Sequence, residues 1–254
     1  MVSLNKILTR GKAIYLAYDQ GIEHGPVDFN DKNVNPEYII QIAKKGKYNA
    51  VIFQKGIAEK YRKEIEKSKA PLILKLNGKT SLRKGEPFST QLCTVAEALR
   101  LKAAAVGYTV YIGSEYEPKM LREFEKIQEE AHKNNLPVIA WIYPRGKGVK
   151  GKSEKELLAY ACRTGLEIGA DIVKVHWNGK NPSELKWAVK SAGKTKVVIA
   201  GGSKTSEKIL LNEAKQALAA GCIGLAIGRN IWQSDKPLEL TRKIKKVIWS
   251  KNLK

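Results

Sequence analysis

The chain alternates between short apolar runs and longer amphipathic stretches. The apolar runs are rich in β-branched residues and are continuous rather than alternating with polar positions, which is typical of strands buried on both faces of a parallel sheet. The stretches between them are long enough for a helix and two loops. The pattern predicts eight strands: Ala13–Tyr18, Ala50–Gln54, Leu72–Leu76, Val106–Ile112, Val138–Tyr143, Asp171–Val175, Lys196–Ala200 and Ile223–Ile227.

The stretches between the strands carry helix-start signals. Asn181 is a favourable N-cap, and Pro182 follows it at the first helical position. Ser153 and Glu156 have the spacing of a capping box at the start of another helix. Three more helices are predicted, over 118–135, 206–220 and 237–250.

Eight strands that alternate with helices predict an α/β protein, a single (β/α)8 TIM barrel that occupies residues 1–254 as one catalytic domain. An open doubly wound sheet would usually show G-x-G-x-x-G after its first strand, but the turn here reads DQGIEHGP. The glycine- and lysine-rich segments Arg10–Lys12 and Arg145–Lys152 are short and are predicted to be loops.

The formal net charge of +21 implies attraction to phosphates and anionic metabolites. The lysines are spread along the chain and alternate with glutamates, as in KEIEKSK, which is typical of a solvated surface rather than of a nucleic-acid-binding tail. We therefore expect no nucleic-acid partner. A non-catalytic polyanion-binding protein remains as an alternative, and it would require basic residues clustered on one outer face.

Membrane and secretory signals are not found. No apolar run reaches the ~18 residues that span a bilayer, and the N-terminus MVSLNKILTRGK has no long apolar segment. We expect a cytoplasmic protein with no membrane partner. The sequence has no CxxC pair, so we predict that its cysteines are small buried hydrophobes: Cys93, Cys162 and Cys222.

The three histidines give no metal-binding pattern. They form neither HxH nor HExxH, so we predict no metal. His24 follows the first strand and could contact a ligand or stabilise the turn. His132 lies on an amphipathic helix and is expected to be exposed. His176 follows the sixth strand and could line the pocket rim or pack against a helix.

Active-site residues of this fold project from the C-terminal ends of the strands. Lys174 lies in the apolar strand ADIVKVHW, where desolvation should lower its pKa and leave the neutral amine that carbonyl addition needs. A structural ion pair with Asp19 is an equal alternative. Tyr143, on the neighbouring strand, could move a proton or pack in the core. Asp19 could orient a substrate or cap a turn.

Two neighbouring strand ends have the composition of a phosphate site. Gly201 and Gly202 allow close backbone approach, and Ser203 adds a hydroxyl donor. Gly228 and Arg229 follow the last strand, and a guanidinium suits phosphate. Barrels often bind phosphate at these two loops, so we predict a phosphorylated ligand.

Six segments together resemble the archaeal-type class I fructose-1,6-bisphosphate aldolases (the DhnA family). LAYDQGIEHGPVDF is similar to the first-strand signature of that family, and LKLNGKTSL, WIYPRGKG, ADIVKVHW, IAGGSK and AIGRNIWQ follow in the family's order. The resemblance covers nearly the whole chain, from about residue 5 to 245.

The resemblance implies a cofactor-free (β/α)8 barrel that cleaves fructose 1,6-bisphosphate, a phosphorylated sugar, to dihydroxyacetone phosphate and glyceraldehyde 3-phosphate. It implies that Lys174 forms the Schiff base, that Tyr143 is the general acid/base and that Asp19 lies near the nucleophile. It also implies rings of five that pair into decamers. The implied substrate-binding residues are Gly202, Ser203, Gly228 and Arg229 for phosphate, and Lys75, Trp141 and Arg145 are further candidates within the family's motifs. His24 is a candidate from its position after the first strand.

Two departures and one related activity leave the substrate open. Related sequences often have His at the position of Gln20 and Pro at the position of Ser203. Similar barrels with the same Asp, Tyr and Lys are transaldolase-like synthases of archaeal aromatic amino-acid precursor biosynthesis, and others are thiolases that act on phosphorylated signal molecules. The segment GIEHGPVDF favours the bisphosphate aldolase over the synthase.

Overall fold

The computed structural model describes residues 2–250, and eight of its strands form a closed parallel barrel in the order β1-β10-β9-β8-β7-β6-β3-β2. The predicted fold class is confirmed, and the predicted ends of the eight barrel strands lie within two residues of the observed ones. The strands are β1 (Ala13–Ala17), β2 (Ala50–Gln54), β3 (Leu72–Lys75), β4 (Asn77–Gly78), β5 (Thr90–Gln91), β6 (Ala105–Val110), β7 (Val138–Ile142), β8 (Ile172–Val175), β9 (Lys196–Ala200) and β10 (Gly224–Ile227). Strands β4 and β5 form a separate antiparallel ribbon.

Helices connect the strands and cover the barrel. They are α1 (Gly21–His24), α2 (Pro36–Gly46), α3 (Lys55–Lys60), α4 (Arg62–Ser68), α5 (Val95–Arg100), α6 (Glu117–Lys133), α7 (Glu154–Glu167), α8 (Pro182–Ser191), α9 (Glu207–Ala219), α10 (Arg229–Trp232) and α11 (Pro237–Ile248). Short 3-10 turns cover Gly25–Asp28 and Lys147–Val149. Among residues 2–250, no helix combines the length and the apolar character that crossing a membrane requires.

The helix starts follow from their caps. The side chain of Asn181 accepts a hydrogen bond from the Ser183 backbone N–H at 3.1 Å, and Pro182 opens α8. The Ser153 hydroxyl accepts from the Glu156 N–H at 3.2 Å. The second half of that predicted capping box is not formed, because the Glu156 carboxylate accepts from Lys152 instead.

The hydrophobic core has an outer layer between helices and strands and an inner layer that fills the barrel. Trp141 belongs to the inner layer, and its ring lies directly over Gly107 of the neighbouring strand β6. A Cβ atom at Gly107 would lie 1.9 Å from that ring, so the indole fits in this position because residue 107 has no side chain. The predicted burial of the three cysteines is confirmed.

The prediction that His132 is exposed is wrong. Its side chain is 28% exposed, and Nε2 lies 2.9 Å from Oδ2 of Asp171. The same carboxylate oxygen accepts a 2.8 Å hydrogen bond from the Val138 N–H. The histidine therefore joins α6 to the N-terminal ends of β7 and β8, a contact that helix periodicity does not reveal.

Candidate active site

A cavity of about 510 Å³ opens at the C-terminal end of the barrel, where the polar residues that follow the strands converge. Every residue predicted for the site lines this cavity: Asp19, His24, Lys75, Trp141, Tyr143, Arg145, Lys174, Gly202, Ser203, Gly228 and Arg229.

Lys174 projects from β8 into the cavity and is 6% exposed. Its Nζ lies 4.9 Å from the centre of the Trp141 ring, and it makes no hydrogen bond or ion pair with any other residue in the described part of the chain. The structural ion pair with Asp19 is therefore not formed. Burial lowers the pKa of Lys174, while the charges of Asp19 and Glu23 oppose that shift.

Lys75, from β3, is a second buried amine in the same cavity and is 4% exposed. Its Nζ donates hydrogen bonds to the backbone oxygen of Asn77 at 2.9 Å and to Asn77 Oδ1 at 2.6 Å. Burial lowers the pKa of Lys75 to about 7, an effect that the Asp19 carboxylate opposes and the Lys174 charge reinforces. The two amines thus differ in one respect: Lys75 is held by hydrogen bonds and Lys174 is not.

Tyr143 follows β7 and is half-buried at the cavity wall. Burial raises its pKa well above the ordinary value, and the Asp19 charge and Tyr111 raise that pKa further, whereas Arg145 lowers it. The Arg145 guanidinium lies 5.6 Å from the centre of the Tyr143 ring and 5.4 Å from that of Tyr111. Tyr143 is consequently a neutral phenol in the free protein, able to donate a proton.

Glu23 is a site residue that the sequence did not single out. Its carboxylate lies 3.2 Å from Arg145 NH1 and 3.5 Å from Lys79 Nζ, so it joins the loops that follow β1, β4 and β7. All three side chains line the cavity. Glu23 stands within the quoted segment GIEHGP, but only the fold shows that Lys79 and Arg145 meet it.

Residues after β1 form a second connection across the site. The His24 ring nitrogen Nδ1 lies 2.5 Å from Asp28 Oδ2, and the other oxygen of that carboxylate lies 3.7 Å from Arg229 NH1. His24 therefore both stabilises the turn and lines the cavity. Asp19 makes no hydrogen bond or ion pair with other described residues, yet its charge acts on Lys75, Lys174 and Tyr143.

The loops after β9 and β10 leave donors for an anion. Gly202 has a φ of +60°, a conformation that glycine adopts readily. A Cβ at Gly228 would lie 2.3 Å from the Ala17 carbonyl oxygen, so only glycine fits there. Together with Ser203 and the guanidinium of Arg229, these loops form a concave, basic wall of the cavity.

The chain matches the family described as DeoC/LacD family aldolase over residues 13–234. The class 1 fructose-bisphosphate aldolase of Thermoproteus tenax is 47% identical, over 94% of this chain and 90% of that protein. The same-named protein of Halobacterium salinarum is 43% identical, over 94% and 91%. A solved archaeal fructose-1,6-bisphosphate aldolase, with its catalytic lysine covalently bound to the carbinolamine intermediate of the substrate, superposes with a TM-score of 0.92 at 45% identity, over 97% of this chain and 98% of that one.

Proposed function

This chain belongs to the DeoC/LacD family of aldolases, and from that premise we propose that it is a metal-independent class I fructose-1,6-bisphosphate aldolase that cleaves its substrate reversibly to dihydroxyacetone phosphate and glyceraldehyde 3-phosphate. The observation that carries the proposal is the Lys174 amine, which is buried and lacks a hydrogen-bond partner among the described residues. A neutral amine is the form that attacks a carbonyl, and no bond has to be broken to release it.

The first half of the reaction forms a protonated imine. The neutral Lys174 amine attacks C2 of the open-chain sugar and gives a carbinolamine. The Tyr143 phenol donates its proton to the departing C2 hydroxyl, which leaves as water. The resulting phenolate is stabilised by the iminium charge and by the guanidinium of Arg145 above its ring.

The second half breaks the C3–C4 bond. The Tyr143 phenolate takes the C4 hydroxyl proton, the C3–C4 electron pair moves into the imine, and glyceraldehyde 3-phosphate leaves. The enamine is then protonated at C3, and hydrolysis of the imine frees dihydroxyacetone phosphate and restores the Lys174 amine. Trp141 and Lys75 complete the wall next to the nucleophile, and Asp19 supplies negative charge beside the iminium.

The cavity has phosphate-binding groups on both sides of the nucleophile. The loops after β9 and β10, with Ser203 and Arg229, lie to one side of β8, and Arg145 after β7 lies to the other. One phosphate binds each set, and His24 contributes next to Arg229. Remote phosphate contacts supply binding energy that positions C2 against Lys174.

The remaining proposals rest on the family resemblance and on the sequence expectations given above. The enzyme works on phosphorylated sugars in glycolysis and gluconeogenesis in the cytoplasm, the whole chain 1–254 acts as one catalytic domain, and subunits assemble as homo-oligomers of decamer type. It has no nucleic-acid or membrane partner. The synthase alternative is not favoured, because the relatives that are 47% and 43% identical are both named class 1 fructose-bisphosphate aldolase.

Borohydride reduction in the presence of EDTA tests the proposal. Incubation with fructose 1,6-bisphosphate or dihydroxyacetone phosphate should give a reduced adduct on Lys174 by peptide mass mapping, and Lys174→Met should give none. Tyr143→Phe should slow aldol cleavage by ~10²–10⁴-fold. Its adduct should still form but more slowly, because loss of water from the carbinolamine also uses the Tyr143 proton. If folded wild-type protein gives no adduct with either ligand, the proposed function is wrong.

A further inference from the structure

Asn230 lies in helix α10, directly after β10, and ties the loop after β9 to that helix. Its Nδ2 donates hydrogen bonds to the carbonyl oxygens of Gly201 at 2.7 Å and Ser203 at 3.0 Å. Its Oδ1 accepts a 2.8 Å hydrogen bond from the Thr205 N–H. The side chain is 3% exposed, so this one amide uses both its donor and acceptor groups on a single stretch of backbone.

Asn230 binds two carbonyl oxygens and the last N–H of this loop, which leaves the N–H groups between them without a bond to any other described residue. Within residues 2–250, the N–H groups of Gly202, Ser203 and Lys204 donate to no other residue. Gly202 adopts a φ of +60°, which turns the chain between the two carbonyls held by Asn230. Successive free N–H groups in such a turn form an anion-binding concavity.

We propose that Asn230 is a positioning residue that holds the Gly201–Thr205 loop in its anion-binding conformation and thereby selects phosphorylated over unphosphorylated ketones. Asn230 does not itself line the cavity; its neighbours Gly202, Ser203 and Arg229 do. The inference rests on the proposed function, because it assigns a phosphate of the substrate to this loop. The binding of phosphate alone, however, can be measured whether or not the protein is an aldolase.

Two uncharged variants remove the bonds in different ways. Asn230→Leu keeps the branched shape of the side chain, is somewhat larger and loses all three hydrogen bonds, and Asn230→Ala loses both the bonds and the volume. The matched control is Asn49→Ala. Asn49 accepts from the Ile14 N–H at 2.9 Å and donates to Thr9 at 2.9 Å, at the opposite end of the barrel.

Two quantities are measured for each protein. The first is the dissociation constant of inorganic phosphate by calorimetry. The second is the ratio of borohydride-trapping rates with dihydroxyacetone phosphate and with unphosphorylated dihydroxyacetone. Both Asn230 variants should weaken phosphate binding and reduce the trapping ratio by roughly ten-fold or more, since charge-assisted hydrogen bonds from ordered donors are lost. Trapping with dihydroxyacetone and both values for Asn49→Ala should stay within about two-fold of wild type.

A loss of stability alone would lower both trapping rates together and leave their ratio unchanged, and that result would overturn the proposal. Absence of any adduct in the wild type would instead reject the aldolase function. The dissociation constants of phosphate would still test whether Asn230 holds the loop in its anion-binding conformation. If neither Asn230 variant folds, amide hydrogen exchange of the wild-type protein tests the proposal instead. The Thr205 amide should be protected without phosphate, and the Gly202 and Ser203 amides only with it. A Thr205 amide that exchanges freely would show that its hydrogen bond to Asn230 is not formed, which would contradict the proposal.

Discussion

At the scale of single residues, the burial of the Lys174 amine is energetically unfavourable. Taking a charged amine out of water costs free energy, and the usual compensation is a carboxylate or several hydrogen bonds. Instead, the Lys174 amine lies over the face of the Trp141 ring, and the charges of Asp19 and Glu23 act on it without a direct ion pair. On the proposed function, the protein gives up stability to keep this amine reactive, a common trade-off at active sites.

Replacing Lys174 by Met should therefore stabilise the folded protein at neutral pH. The pKa of Lys174 is lower in the folded protein than in the unfolded chain, so the unfolded chain binds more protons and wild-type stability rises with pH between those two values. The advantage of the Met variant is largest below the folded pKa and disappears as the pH approaches the unfolded value of about 10.5. Each 1 kcal/mol gained raises Tm by roughly 2–4 °C in a chain of this size.

Thermal unfolding at several pH values, with the exposed Lys60→Met as control, measures this effect. The control should change Tm little at any pH. A Lys174→Met variant that is less stable than wild type at neutral pH would mean that the buried amine is a net stabilising group, contrary to the role assigned to it.

The sequence singled out Lys174 because a lysine within an apolar strand is anomalous, and it singled out the glycines because two such turns follow adjacent strands. All of them line the cavity. Glu23 and Asn230 are ordinary polar loop residues by sequence. Their importance lies in contacts between distant segments, such as the bond from Arg145 to Glu23 across 122 positions. No local pattern encodes such a contact, so it appears only once the barrel is closed.

At the scale of elements, the pairing of β6 and β7 sets the floor of the site. Thr109 pairs with Trp141 in register, and the indole then lies over Gly107. The amines of both Lys75 and Lys174 lie within 6 Å of that ring, at 5.6 and 4.9 Å. Strand register thus fixes a side chain that contacts both amines.

Gly107→Ala should disrupt this arrangement. The added methyl group would lie 1.9 Å from the Trp141 ring, so the ring or the strand has to move. Overpacking of this kind costs ~1–3 kcal/mol. We expect that loss together with a clear fall in borohydride trapping at Lys174, measured by chemical denaturation and by mass mapping.

Gly56→Ala is the matched control, because a Cβ there meets nothing within 4 Å and the residue lies in helix α3. It should be neutral or stabilise by up to about 1 kcal/mol. If Gly107→Ala behaves like Gly56→Ala in both measurements, Trp141 does not have to occupy its observed position for the amine to react.

The barrel strands could be predicted because each is a continuous apolar run, and the helices because their caps and periodicity agree. The ribbon of β4 and β5 was not predicted, since two residues per strand are too few to show a period. Its position depends on Asn77, which accepts hydrogen bonds from Lys75 and from the Thr109 N–H across two other strands. The bond from Thr109 is tertiary and leaves no trace in the local pattern.

At the scale of the whole molecule, the charge of +21 has to be reconciled with an enzyme of small anions. Ion pairs are distributed over several helices, for example Arg62–Glu66 on α4, Lys133–Glu129 on α6 and Arg163–Glu167 on α7. Exposed pairs of this kind contribute little to stability. The uncompensated positive charge instead produces a long-range field that attracts anions to the protein.

That field predicts a difference between substrates. The kcat/KM for fructose 1,6-bisphosphate, a tetra-anion, should fall as ionic strength rises, because the Debye length shortens to about 10 Å at 0.1 M salt and steering is screened. Trapping of neutral dihydroxyacetone on Lys174 should change little over the same range, and it serves as the control. A shared salt dependence would point to an effect on the folded state. If neither kcat/KM nor trapping depends on ionic strength, the surplus charge serves something other than substrate capture. A salt-dependent nucleic-acid binding assay would then test the polyanion alternative.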